Sequence, residues 1–166
     1  MSTTPAVTHD EFRAVMGSIA TPVAVVSAFD RDRPHGTTVS AFMSLSKEPP
    51  MTVVSLDRSS DLLRYIDDAQ QFGINVLAAH QSAIATAFAR KGTDKMAELA
   101  WIVDSGLPRI DDTSGWIACD VAKMVDGGDH VLVLGDVVSL DHAPYPPLVY
   151  HQGTFGSHTP MATQNS

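Results

Sequence analysis

The pattern of apolar and polar positions along this 166-residue chain changes period several times. In "THDEFRAVMG", Phe12, Val15 and Met16 recur at helical spacing. Thr8 and Glu11 stand at the capping-box interval and Gly17 offers a stop, so a helix is predicted here. "TPVAVVSAF" is short, apolar and β-branched, which predicts a strand, and "DRDRP" is a polar turn. "HGTTVSAFMSLS", His35 to Ser46, then alternates. Val39, Ala41, Met43 and Leu45 fall on one face; Thr38, Ser40, Phe42, Ser44 and Ser46 fall on the other. This spacing predicts one strand whose first face lies in a core. "KEPP" closes it and "MTVVSL" begins the next. Ser59 and Ser60 precede "DLLRYIDDA" as N-cap residues of a short helix. "FGINVLA" is strand-like, and "HQSAIATAFARKG" reads as a helix carrying Ile84, Phe88 and Lys91, with Gly92 as its C-terminal stop. Strand character returns in "GWIACDVAKMV" and "HVLVLGDVVSL", and the Gly127-Gly128 pair between them marks a hairpin. The segment after Phe155 is polar and is expected to be loose.

Six or seven strands and a few short helices, without regular alternation, predict a mainly β or α+β fold, or a β-barrel with helical additions. A doubly wound sheet is not expected. The chain shows no repeat or linker, which predicts one domain over 1–166, with its core at about 10–157 and a polar tail at 158–166.

Composition narrows the partners. A formal charge of −8 argues against nucleic acid or an anionic membrane as the main one. The N-terminus "MSTTPAVTHDEF" lacks a basic and then apolar leader, and no apolar run has the length of a membrane span. With Cys119 as the one cysteine, in the apolar setting "GWIACDVA", a cytoplasmic protein with an inert core thiol is expected.

Several chemistries lack their motifs. No G-x-G-x-x-G follows a strand and no phosphate-binding G-x-x-x-x-G-K-[ST] occurs. The seven histidines form no H-E-x-x-H and no tight cluster, so no metal site is expected. There is no G-x-S-x-G elbow to recommend a hydrolase. What stands out instead is Gly36 to Ser46, which carries no charge at all. A hydroxyl-rich, uncharged strand face can offer neutral donors and acceptors to a ring system. By itself it is better read as a half-buried strand with internally satisfied hydroxyls.

The segments "PHGTTVSAFMSLSKEPPMTVVSLDRSSDLLRYI", "FGINVLAAHQ", "FARKGTDKM", "GDHVLVLGDV" and "YHQGTFG" occur in this order. Together they resemble the short-chain flavin reductase family, the reductase partners of two-component flavin-dependent monooxygenases, over about Val15 to Gly156. The resemblance implies a homodimeric FMN-binding split β-barrel of Greek-key type. It implies reduction of FMN or FAD by NADH or NADPH, and delivery of diffusible reduced flavin to a separate monooxygenase. Thr37, Thr38, Val39, Ser40 and Ala41 would then run beside the flavin ring and ribityl chain. Ser55, Leu56, Asp57, Ser59 and Ser60, at a strand end leading into a helix start, would meet the ribityl hydroxyls or phosphate. Asn75 would satisfy its amide on the flavin edge or on neighbouring backbone, Lys91 and Lys95 would approach the phosphate, and Phe88 is expected in the core, touching flavin. Tyr150 and Phe155 would offer stacking surfaces. His130, in "GDH", would orient the nicotinamide or donate a proton, and is the one expected catalytic residue. The family's aromatic is replaced here by Met96 and its arginine by Gln152, which leaves the choice of nucleotide open. The alternatives are a split-barrel flavoprotein that keeps its flavin and acts on another small molecule, a non-catalytic flavin- or haem-binding module, or a ligandless barrel.

Overall fold

A computed structural model describes residues 6–162 except 93. Helix α1, His9–Gly17, has the expected capping box: Thr8 Oγ1 accepts from the Glu11 amide, and Glu11 accepts from the Thr8 amide. Its apolar residues, however, touch no core of this chain, and Phe12 and Val15 are 58% and 65% exposed.

Strands β1 (Thr21–Pro22), β2 (Ala24–Asp30), β3 (Arg33–Val39), β4 (Phe42–Lys47) and β5 (Pro50–Asp57) follow. Helix α2 (Asp61–Ala69), strand β6 (Gln71–Val76) and helix α3 (Ser82–Phe88) come next. The rest is β: β7 (Trp101–Asp104), β8 (Leu107–Ile110), β9 (Gly115–Gly127), β10 (His130–His142), β11 (Leu148–His151) and β12 (Thr154–Ser157). The β9–β10 hairpin turns on Gly128 and Asp129, with Gly128 at φ 69°, a conformation that favours glycine.

Seven strands form one antiparallel sheet in the order β3-β2-β6-β9-β10-β5-β4. Its two edge strands, β3 and β4, are separated in the chain by Ser40 and Ala41 alone. Two residues cannot cross a flat seven-stranded sheet at about 4.8 Å per strand, so the sheet must roll until its edges meet. The roll brings the link after β3 onto β5, where Ser55 N–H donates to the Ala41 carbonyl at 2.9 Å as a continuation of the β4–β5 ladder; beyond it β3 and β5 part. This is the expected split barrel. β11 and β12 join β1 in a small second sheet, and β7 pairs with β8.

β2 is buried on both faces from Ala24 to Ala28, which is why its sequence there is apolar apart from the buried Ser27. Ala24, Val26 and Ala28 face the barrel interior with Phe72, Ile74, Cys119 and Val133, joined there by Leu62 and Ile66 from one face of α2. Val25 faces the other way, into a second cluster with Phe88 of α3, Met96, Ile110 and Leu148.

Two sequence expectations are corrected. The stretch His35–Ser46 is two strands, and of the face expected in the core only Val39 is buried; Met43 and Leu45 are 62% and 42% exposed. The chain bends at Ser40–Ala41 and a bulge between Ser44 and Ser46 resets the alternation. Helix α3 stops at Phe88, before Gly92, and at that end the Lys95 ammonium donates to the Phe88 carbonyl at 3.2 Å, satisfying a carbonyl the helix leaves open. No described helix is long and apolar enough to cross a membrane.

Candidate functional site

The wedge that opens where β3 and β5 part is a cavity of about 620 Å³, within the range of small-ligand sites. Its floor is residues 35–41, the edge strand β3 and the link that follows it. Among the described residues β3 pairs with β2 alone, so half of its backbone N–H and C=O groups have no strand partner. That is the use of an uncharged strand: a bulky charged side chain would obstruct this edge.

One wall comes from α2 and the segment before it. Asp57 accepts from both the amide and the hydroxyl of Ser59 at 2.7 Å. These bonds, and to a smaller degree the charges of His130 and Lys91, hold its carboxyl below the usual carboxylate range. Ser60 is the N-cap of α2, but among the described residues no side chain caps the helix; the Leu63 amide turns back to the Ser60 carbonyl, which leaves those of Asp61 and Leu62 for an anion. One turn on, Tyr65 stacks with His35, ring centroids 4.5 Å apart, and the buried His35 Nε2 has no hydrogen-bond partner among the described residues.

The opposite wall follows α3. Arg90, Lys91 and Lys95 line it, and among the described residues none of the three is ion-paired. Lys95 lies 5.7 Å from the Phe88 ring centroid, and burial pushes the pKa of its ammonium down. His130 completes the rim. It is the first residue of β10 and stands opposite Asp57 in the ladder, and its Nδ1 is 2.8 Å from Asp129 Oδ1. That contact leaves Nε2 for a ligand.

Of the expected site residues, Thr37, Thr38, Val39, Ser40, Ala41, Ser55, Leu56, Asp57, Ser59, Ser60, Lys91 and His130 all line this cavity. Four do not line it in this chain. Asn75 is fully buried and spends its amide inside the protein: Nδ2 donates to the Val25 carbonyl and Ser27 Oγ, and Oδ1 accepts from the Ile110 amide. Phe88 sits behind the wall in the core. Tyr150 and Phe155 pair with each other across β11 and β12, with ring centroids 5.3 Å apart.

Sequence reasoning missed His35, Tyr65 and Arg90. Tyr65 lies four positions after Asp61 on one helix face and His35 two before Thr37 on one strand face, so spacing alone offered both. Cys119 is buried in the barrel, and its thiol pKa is pushed up to about 12, chiefly by that burial, so it is inert.

The sequence model of the family described as "Flavin reductase like domain" matches residues 16–159. A trigonelline monooxygenase reductase component from Acinetobacter baylyi is 35% identical over 147 residues, covering 87% of this chain. The match covers 47% of that protein, so the chain spans about half the length of that relative. An FMN reductase (NADH) from Agrobacterium fabrum is 36% identical over 146 residues, 87% of this chain and 83% of the other. Among solved structures, the flavin reductase PheA2 superposes with a TM-score of 0.86 at 28% identity, covering 93% of this chain and all of that one.

Proposed function

We propose, because this chain belongs to the flavin reductase-like domain family, that it uses a reduced nicotinamide nucleotide to reduce FMN or FAD and hands the reduced flavin to a separate monooxygenase. The observation that carries this reading is the cavity along the unpaired edge of β3, neutral on its floor and cationic on one side.

These residues fit a flavin by their chemistry. The ring needs neutral donors and acceptors along one edge, which the backbone of Thr37 to Ala41 offers, and an apolar surface, which Val39 and Leu56 extend. Ser55, Asp57 and Ser59 suit the ribityl hydroxyls. The open amides at the start of α2 and the unpaired Arg90, Lys91 and Lys95 suit a phosphate. Bound flavin supplies the hydride acceptor. The protein's task is positioning: the reaction needs no side-chain nucleophile, only the nicotinamide held against the ring at roughly 3–3.5 Å. His130, at the rim, orients the nicotinamide carboxamide.

The test is NADH oxidation, followed by absorbance, with and without FMN, FAD or riboflavin. Oxidation is expected to depend on added flavin, and its absence with every flavin and with both NADH and NADPH overturns the reading.

The working form in this proposal is a homodimer, in the cytoplasm. The support for the dimer is apolar surface left uncovered in one chain: Phe12, Val15, Met16 and Ile19 around α1, and Met43 and Leu45 on the edge strand β4. Sedimentation equilibrium should return twice the chain mass; a monomer at working concentration removes the dimer but not the reductase.

A further inference from the structure

The cationic wall is fastened to strand β3 by two contacts on one strand face. Thr38 Oγ1 donates to the Ala85 carbonyl, in the last turn of α3, at 2.7 Å. Two residues earlier is Gly36, where a Cβ would lie 2.9 Å from Phe88 Cε1 and 2.8 Å from Val25 Cγ1. The Phe88 ring therefore packs directly on the strand backbone, and any side chain at 36 would push α3 away. Phe88 in turn holds Lys95, whose ammonium donates to its carbonyl and lies over its ring. Position thus passes from β3 through Ala85 and Phe88 to the cations.

The Ala85 carbonyl also accepts from the Ala89 amide at 3.1 Å, so it holds both the helix end and the strand. The Thr38 proton is committed to this bond. It is not available to a ligand.

We propose that Thr38 is a positioning residue: it sets the distance between the α3 cations and the open edge of β3, and so acts on the phosphate of the flavin, not on its ring. This rests on the reductase reading above. Ring contacts come from the β3 backbone, which its pairing with β2 holds whether or not the hydroxyl is present. Without the hydroxyl, α3 is registered against the strand by apolar packing alone, of Phe88 on Gly36 and of Ala85 and Phe88 in the cluster with Val25.

The experiment compares the dissociation constants of FMN and riboflavin, by quenching of flavin fluorescence, for the wild type and for Thr38→Ser, Thr38→Val and Thr38→Ala. One lost hydrogen bond in a positioning role weakens binding on the order of tenfold. FMN should weaken by that factor in the Val and Ala variants, with riboflavin, which lacks the phosphate, unchanged within about twofold by the same measure. Thr38→Ser keeps the hydroxyl and should match the wild type for both. Lys95→Gln should reproduce the FMN-selective loss. Equal weakening of both flavins in Thr38→Val puts Thr38 against the ring and overturns the proposal. So does a Ser variant as weak as the Val variant, an unchanged FMN affinity in the folded Val variant, or a wild type that binds riboflavin as tightly as FMN. If neither the Val nor the Ala variant folds by circular dichroism, Thr38 is a fold residue and the proposal again fails. A wild type that binds neither flavin refutes the reductase reading instead.

Discussion

Replacing Asn75 by Ala will lower stability by about 3 kcal/mol and leave flavin affinity per folded molecule unchanged, since a buried polar group stripped of its partner costs roughly 1–3 kcal/mol. The side chain joins three strands. Nδ2 reaches the Val25 carbonyl at 3.1 Å and Ser27 Oγ at 3.0 Å on β2, and Oδ1 takes the Ile110 amide of β8 at 2.7 Å. Ser27 continues the set by donating to the Pro108 carbonyl at 2.6 Å. Removing the amide leaves the Ile110 N–H buried without an acceptor and loosens the β7–β8 hairpin from β2 and β6. Contributions within one network are not additive, so the three bonds are read together as one loss. Urea unfolding reads the stability, and a flavin titration of the folded protein reads the affinity. A variant with wild-type stability and weakened flavin binding would return Asn75 to the site.

His130→Ala is expected to raise KM for NADH by roughly tenfold to a hundredfold, the worth of one hydrogen bond to a charged or desolvated partner. Flavin affinity should stay within about twofold of wild type on the same scale. His130 stands at the rim opposite Asp57, with Nδ1 engaged by Asp129, so what it offers is Nε2, to whatever lies outside the flavin. Steady-state kinetics at saturating flavin give the first quantity and fluorescence quenching the second. An unchanged kcat/KM for NADH, or an equal loss of flavin affinity, removes His130 from nucleotide binding.

What the sequence revealed was local. The capping box at Thr8 and Glu11 and the Gly127-Gly128 hairpin lie within a few residues of their partners, and each forms as read. The errors come from partners far away in the chain. Met43 and Leu45 alternate correctly with Val39 only if the strand is straight, and the bend at Ser40 exists because the sheet must close. Asn75 looked costly in an apolar strand, which it is, but its hydrogen-bond partners, the Val25 carbonyl and the Ile110 amide, are on strands about 50 and 35 residues away. The β7–β8 hairpin was missed because "WIVDSGLPRI" is too short for a clear period. The uncharged stretch at His35–Ser46 was legible as unusual, yet its cause, an open sheet edge, is a property of the whole barrel.

The small sheet has a consequence for how the chain acquires its structure. Its first strand, β1, pairs Thr21 with Tyr150, a separation of 129 residues. The neighbouring Gly17 carbonyl, at the end of α1, is bonded by the Gln152 amide. These links cannot form until residue 152 has been made, whereas the β2–β3 and β4–β5 hairpins are local. Closing so long a loop is slow relative to local pairing. During synthesis, therefore, α1 and β1 cannot take these partners until every strand of the seven-stranded sheet has been made.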